Sequence, residues 1–366
     1  MLDPKFCRQR QNRLLQRLGE MRLDAVVVGQ PQHVYYLSGH FTGPLHQSAF
    51  ILFSDGRSWL VTANSPAQNS AADRVISYEA NWNGTPRQEQ PAVVGQLSAD
   101  ELKSRRAGRI GMDTSASTSQ IALQSEAHFE AIDPILWQLR RIKDEDEIVL
   151  MKRAIECTEA MYRRARQIIE PGIEELRVFN ELHAVAVEVS GEPMTALLGN
   201  DFRCGSGGGP PRKDHAAKAG ELYILDLSPT HRGYFADNAR VFSVNRKPTD
   251  AQMKAWHAVV ATFEIVEKMA KPGVRCNDIY TACDEHFKRH FNHGLVHHLG
   301  HGVGLQPHEF PHLNFKWDDV LMEGEIFTAE PGVYSDELAG GIRIENQYLV
   351  TKSGVKNLLN FPMELT

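Results

Sequence analysis

The chain repeats itself over a long interval. The segment EPGIEELRVFNELHAVAVEVSG, a proline-glycine break followed by a helical pattern, is echoed by KPGVRCNDIYTACDEHFKRHF, and Pro171 and Pro272 stand 101 residues apart. Solenoid repeats run roughly 20–50 residues, so this spacing points to a duplicated half-domain. Each half reads as helix, Pro-Gly, helix, then strands. Two such halves facing each other bring their hairpins side by side. A helix is predicted over about 143–169, with an acidic start and a basic end that suit the helix dipole. Ahead of it, helical runs (8–22, 93–106) alternate with strand-like runs (DAVVV, SAFILFS, SWLVTA, RVISYE, RIGMD). That alternation predicts an α/β domain with a mixed sheet over 1–135, followed by an α+β domain of two pseudo-twofold halves over 136–366.

Charged residues stand where strands should be apolar. Asp226 lies in YILDL and Glu345 in IRIEN, and a buried carboxylate without a partner costs several kcal/mol or loses its charge. Asp226 and Asp237 are eleven residues apart, in two strand-like runs joined by a polar segment ending at Gly233. With His231 and Arg232 as a two-residue tip, the two aspartates face each other directly, roughly 4.5–5.5 Å apart. Glu330 and Glu345 are fifteen apart, which permits the same opposition across a second hairpin centred on Glu337 and Leu338, with turn chemistry from Gly340 and Gly341.

Between the hairpins, six of the sixteen histidines (His293, His297, His298, His301, His308, His312) fall within twenty positions. Gly300, Gly302 and Gly304 disfavour a helix there and allow close backbone approach. Four carboxylates and one neutral imidazole would balance two divalent ions. Hard oxygen ligands with one nitrogen suit manganese, iron, cobalt or zinc. Paired ions can generate a nucleophile at neutral pH and polarise a carbonyl, which is hydrolytic chemistry. An isolated Asp pair or a His-rich stretch is ordinarily a solvated turn or loop, and Glu330 before Pro331 could simply end a strand. On the residues alone, both readings stand.

Composition narrows the classes. With 42% hydrophobic and 23% charged residues, 366 residues suffice for two soluble domains. A net charge of −6 argues against nucleic acid as partner. No apolar run approaches the roughly 18 residues of a membrane span, and the N-terminal stretch has no signal-peptide apolar core. Cys7, Cys157, Cys204, Cys276 and Cys283 are odd in number and lack CxxC spacing, which suits reduced thiols in a cytoplasm.

The ordered set Asp226, Asp237, His301 in HHLGHGVGLQPHEFP, Glu330 in TAEPGVY and Glu345 in GIRIEN resembles the metal site of the pita-bread metallopeptidases. That group contains methionine aminopeptidase, Xaa-Pro aminopeptidase and Xaa-Pro dipeptidase (prolidase), with creatinase as a metal-free relative. DAVVV…VYYLSG resembles the creatinase/prolidase N-terminal domain, and LRRIKDEDEIVLMKRA the family's linker and first catalytic-domain helix. The resemblance implies a cytoplasmic homodimer that cleaves X–Pro peptide bonds by attack of a water held between two divalent ions, manganese first, with cobalt, zinc or iron as alternatives. It implies that Asp226 chelates one ion, that Asp237 and Glu345 bridge, and that His301 and Glu330 complete the second. Glu330 is the implied general base. His297, His308 and Arg343 match substrate-contacting positions, with a structural ion pair as the other reading for Arg343.

Two positions depart from the pattern. Gly209, inside CGSGGGPPRKDH, stands where a substrate histidine is expected, and His215 lies only eleven residues before Asp226. Asn346 stands where aspartate often follows the glutamate. These departures touch substrate and leave the metal ligands intact. A lyase or C–N hydrolase acting on a small non-peptide substrate is therefore the rival expectation, and an inactive binding protein a third, which the complete ligand set disfavours.

Overall fold

The computed structural model describes residues 1–64, 69–196 and 201–366. They form two compact units, Met1–Arg140 and Arg141–Thr366, the division falling within the helix Asp133–Arg141. No helix among the described residues is long and apolar enough to cross a membrane.

The first unit is a mixed six-stranded sheet, in the order Arg74–Tyr78, Ser58–Ala63, Ala49–Phe53, Ala25–Val28, Arg109–Met112, His128–Ala131. Ala25–Val28 pairs antiparallel with Ala49–Phe53 and parallel with Arg109–Met112. It is buried at all four positions, which is why its sequence is a continuous apolar run without alternation. The first helix, Pro4–Met21, starts where Asp3 accepts from the Lys5 amide, and ends on Arg22 in the left-handed conformation.

The second unit carries out the duplication in its backbone hydrogen bonds. Helices Glu145–Ile168 and Glu175–Ser190 are matched by Asp250–Met269 and Cys276–His290. In the first half the Gly172 amide donates to the Ala217 carbonyl and the Ala217 amide to Ile173; in the second, Gly273 donates to Leu321 and Leu321 to Val274. Gly172 and Gly273 both turn with positive φ, 94° and 88°, a conformation that suits glycine after each helix-stopping proline. The strand Leu222–Leu227 then pairs with Asn238–Ser243 and Asp201–Cys204, while Ile326–Ala329 pairs with Asn346–Val350 and Gly300–Gly302.

Strand alternation decides what faces the site. Phe202, Cys204, Tyr223, Leu225 and Phe242 pack with Ala154, Cys157, Met161 and Leu182 from the first helix pair. The opposite face of those strands carries Leu222, Ile224 and Val241, which join the core of the second helix pair with Val259, Phe263, Ile279, Phe327 and Tyr348. Asp226 lies on this second face by its period of two, and so does its cross-strand partner Asp201.

The first hairpin is corrected by one turn position. Its tip is Arg232–Gly233, with φ values of 49° and 86°, because a two-residue turn that follows strand twist needs positive φ at both central positions. The pairs are therefore Asp226 with Ala239 and Leu227 with Asn238. Asp226 and Asp237 are diagonal neighbours on one face, not directly opposed. The second hairpin keeps the expected register: Ala329 with Asn346 and Gly332 with Arg343 flank Glu330 and Glu345. A short 3-10 helix, Asp336–Leu338, forms its tip.

All five cysteines are free and buried, and burial pushes the Cys157 thiol up to about 11 and the Cys283 thiol to about 12. Ellman's reagent should therefore titrate fewer than one thiol per native chain and all five after denaturation. Rapid native reaction at several sites would contradict this core.

Candidate metal centre

Five ionisable side chains converge at strand ends of the second unit. Asp226 is the penultimate residue of Leu222–Leu227, Asp237 precedes Asn238–Ser243, and His301 is the middle of Gly300–Gly302. Glu330 follows Ile326–Ala329, and Glu345 lies between Gly340–Arg343 and Asn346–Val350. All are nearly inaccessible, from 1% exposed for Glu345 to 8% for Asp226. The Glu345 amide donates to the Ala239 carbonyl, which ties one hairpin to the other. Beneath them Arg240 donates to the carbonyls of Glu345, Phe361 and Pro362 and to Asn346 Oδ1. Asn346, the second departure from the family pattern, is therefore spent on Arg240.

Glycines permit this convergence. A Cβ on Gly300 would lie 1.8 Å from the Thr328 carbonyl oxygen, and one on Gly302 would lie 1.9 Å from the Phe310 oxygen. Both obstacles are backbone, so His301 can be brought to the carboxylates only between two residues without side chains.

The cluster has more negative charge than its own cations neutralise. Ligand atoms of Asp237, His301 and Glu345 lie within 4.8 Å of one another. His301 Nε2 is 3.3 Å from Glu330 Oε1 and 3.8 Å from Asp237 Oδ2. Its Nδ1 is 3.0 Å from the Gly302 carbonyl, which can only accept, so Nδ1 carries the proton and Nε2 presents a lone pair to the carboxylates unless it is charged. Arg343 donates to Asp226 Oδ2 at 2.7 Å and to Asp201. Ser228 donates to Asp237 Oδ1 at 2.7 Å. Asp226 Oδ1 and both carboxylate oxygens of Glu345 are buried with no hydrogen-bond partner among the described residues.

Electrostatics express the same deficit. Burial and neighbouring carboxylates push Asp226, Asp237 and Glu345 upward, against Arg343 and, for Asp237, His301. Burial alone would raise Glu330 too, but His298 and His301 outweigh it and hold this carboxyl low. Burial would lower the His301 imidazole, yet Glu330 and Asp237 raise it to about 9. Buried acceptors that lack donors, beside an imidazole whose Nε2 is turned inward and whose proton an ion would displace, fit divalent cations: hard oxygens in excess, one nitrogen, and charge left to neutralise.

The other predicted residues lie around this cluster. His297 Nδ1 donates to the His298 carbonyl, so its Nε2, 3.0 Å away, accepts from the Tyr334 hydroxyl, which in turn accepts from Arg343. His308 stacks on His301, centroids 3.7 Å apart and planes 11° from parallel. Gly209 donates its amide to Asp201, and a Cβ there would meet the Arg203 guanidinium at 2.7 Å. His215 lies elsewhere, 4.0 Å from Glu175 in a cluster with Arg212 and Cys204. Sequence reasoning assigned no role to Asp201, Tyr334 or His298, which reach the site from separate segments. His298 stood in the histidine run but carried no spacing signal of its own.

A duplicated α/β fold whose paired hairpins hold a buried Asp, Asp, His, Glu, Glu set defines the pita-bread class of metal-dependent enzymes, here with a creatinase-type N-terminal domain. Residues 149–352 match metallopeptidase family M24, and residues 10–142 match the creatinase/prolidase N-terminal domain. The chain belongs to metallopeptidase family M24 and is a metallopeptidase. It is 26% identical to a Xaa-Pro dipeptidase of Pyrococcus furiosus over 98% of this chain and 99% of that protein. The prolidase structure from Pyrococcus horikoshii superimposes with a TM-score of 0.80 at 24% identity, covering 98% of this chain and all of that one. A Xaa-Pro dipeptidase structure from Bacillus anthracis superimposes at 0.83 with 22% identity, covering 98% and 99%.

Replacing Gly300 by Ala should destabilise the second unit by about 2–3 kcal/mol or more through backbone overpacking and displace His301. Chemical denaturation together with metal content of the purified variant checks this. Wild-type stability and full metal uptake would contradict the packing argument.

Proposed function

We propose that this chain is a dinuclear metal-dependent peptidase that cleaves X–Pro peptide bonds. The observation that carries the proposal is Glu345, whose two carboxylate oxygens are buried without a hydrogen-bond partner among the described residues, within a five-residue donor set. Asp226, Asp237, His301, Glu330 and Glu345 would hold two divalent ions. Such ions acidify water for attack at neutral pH and polarise a carbonyl.

The chain's own groups supply the rest. Glu330, kept ionised by its two imidazoles, accepts the proton of the attacking water and returns it to the leaving nitrogen. His308 is held neutral, lowered to about 4 by burial and by His301 and His298, so it has one N–H to donate to the carbonyl oxygen as charge develops there. Arg343 is anchored between Asp201 and Asp226 and orients Tyr334, which fixes His297. His297 and Arg343 form the substrate-facing side of this reading. The names of the relatives support an X–Pro substrate, the buried thiols suit a reducing cytoplasm, and the family resemblance supports a homodimer.

A second reading, a small non-peptide substrate, is favoured by Gly209, where Arg203 fills the place of a side chain. Comparing Ala-Pro, a Xaa-Pro-Xaa tripeptide and a non-proline dipeptide with manganese- and cobalt-loaded protein separates the two. Turnover of at least one proline substrate is expected. Ligand removal should exceed the roughly 10–100-fold that outer-shell partners are worth, so Asp237→Ala should lose at least about 100-fold in kcat/KM. Inertness of a metal-loaded sample on both proline substrates would overturn the X–Pro assignment in favour of the second reading.

A further inference from the structure

Glu330 meets more nitrogen than the five-residue cage assigns to it. His298 Nε2 lies 2.8 Å from Glu330 Oε1, nearer than His301 Nε2 at 3.3 Å. The two rings are nearly perpendicular, at 87° with centroids 5.4 Å apart, so their nitrogens reach one carboxylate oxygen from different directions. His298 is also fixed at its main chain, because its carbonyl accepts from His297 Nδ1 at 2.8 Å. We propose that His298 is a sixth ligand of the centre, a second imidazole on the ion held by His301 and Glu330. The proposal rests on the dinuclear reading above and deepens it toward the identity of the metal.

The spacing argues for ligation. With metal–ligand bonds of about 2.0–2.2 Å, neighbouring ligands of an octahedral or tetrahedral ion stand roughly 2.8–3.6 Å apart. Both observed nitrogen–oxygen separations, 2.8 and 3.3 Å, are such edges. The alternative, a hydrogen bond that only steadies Glu330, needs a donor at His298 Nε2 and nothing more. Ligation makes a further demand with a chemical consequence. One nitrogen among oxygens suits manganese, whereas two nitrogens move a centre along the Irving–Williams order toward cobalt and zinc. His298 therefore tunes the ion that Glu330 and His301 hold, at the edge of the site where its side chain keeps 35% of its exposure.

The test uses the full-length protein, its His298→Ala and His298→Gln variants, and the metals themselves. Apo samples are titrated separately with zinc, cobalt and manganese, and the cobalt-loaded forms are compared by visible absorption. Both variants should lose more zinc and cobalt affinity than the roughly 10–100-fold an outer-shell partner is worth, lose less for manganese, and show shifted cobalt bands. Gln can still donate a hydrogen bond to Glu330, so it rescues a positioning role and leaves a ligand role unrescued. Zinc and cobalt affinities equal to wild type with superimposable cobalt spectra would overturn the proposal, as would full rescue by Gln. Wild-type protein that takes up no divalent ion would instead overturn the dinuclear reading on which this one rests.

Discussion

Buried negative charge without matching positive charge is the constraint around which the second unit is organised. Five carboxylates, Asp201, Asp226, Asp237, Glu330 and Glu345, lie at or below 9% exposure around one guanidinium and two imidazoles. Two unit charges about 4 Å apart repel by roughly 4 kcal/mol even at an effective dielectric of 20. Arg343 answers part of this by joining Asp201 to Asp226, and Glu330 is answered by His298 and His301. Asp237 has only Ser228 and a distant His301, and Glu345 has nothing at its oxygens among the described residues. The remaining deficit is what a bound cation would neutralise.

The duplicated framework makes that deficit affordable and places it. Each half packs one face of its strands on its helix pair and leaves carboxylates at the strand ends. The hydrogen bond from Glu345 to Ala239 and the fan of bonds from Arg240 lock one hairpin against the other. Gly300 and Gly302 let the histidine strand approach within backbone contact. A wall fixed this well can present unpaired acceptors without collapsing to pair them.

How much of this was legible in the sequence varied with the range of the physics involved. The break-then-helix pattern gave the duplication because Pro-Gly acts locally, and it reappears in the matched hydrogen bonds of Gly172 and Gly273. Asp226 and Glu345 were visible because a carboxylate in an apolar strand demands a partner. The register of the second hairpin was readable from its odd spacing, and that of the first was not. There Arg232 adopts a positive φ that its side chain does not advertise, which moved the tip to Arg232–Gly233 and made the aspartates diagonal. Asp201, Tyr334 and His298 were illegible because their roles arise from contacts across long sequence separations, up to the 142 residues between Asp201 and Arg343. The resemblance pointed to a histidine at Gly209; the fold puts the Arg203 guanidinium there, reaching back from the strand Asp201–Cys204 just before this loop.

On the dinuclear reading proposed above, the Glu345 carboxylate would be needed to hold both ions. Equilibrium dialysis of metal-stripped protein against manganese, read as bound metal per folded chain, tests it most directly. Wild type should bind two ions, and Glu345→Ala, which removes both oxygens, should bind at most one and weakly. Near-zero uptake by folded wild-type protein, or the same uptake by the Glu345→Ala variant, would contradict the account.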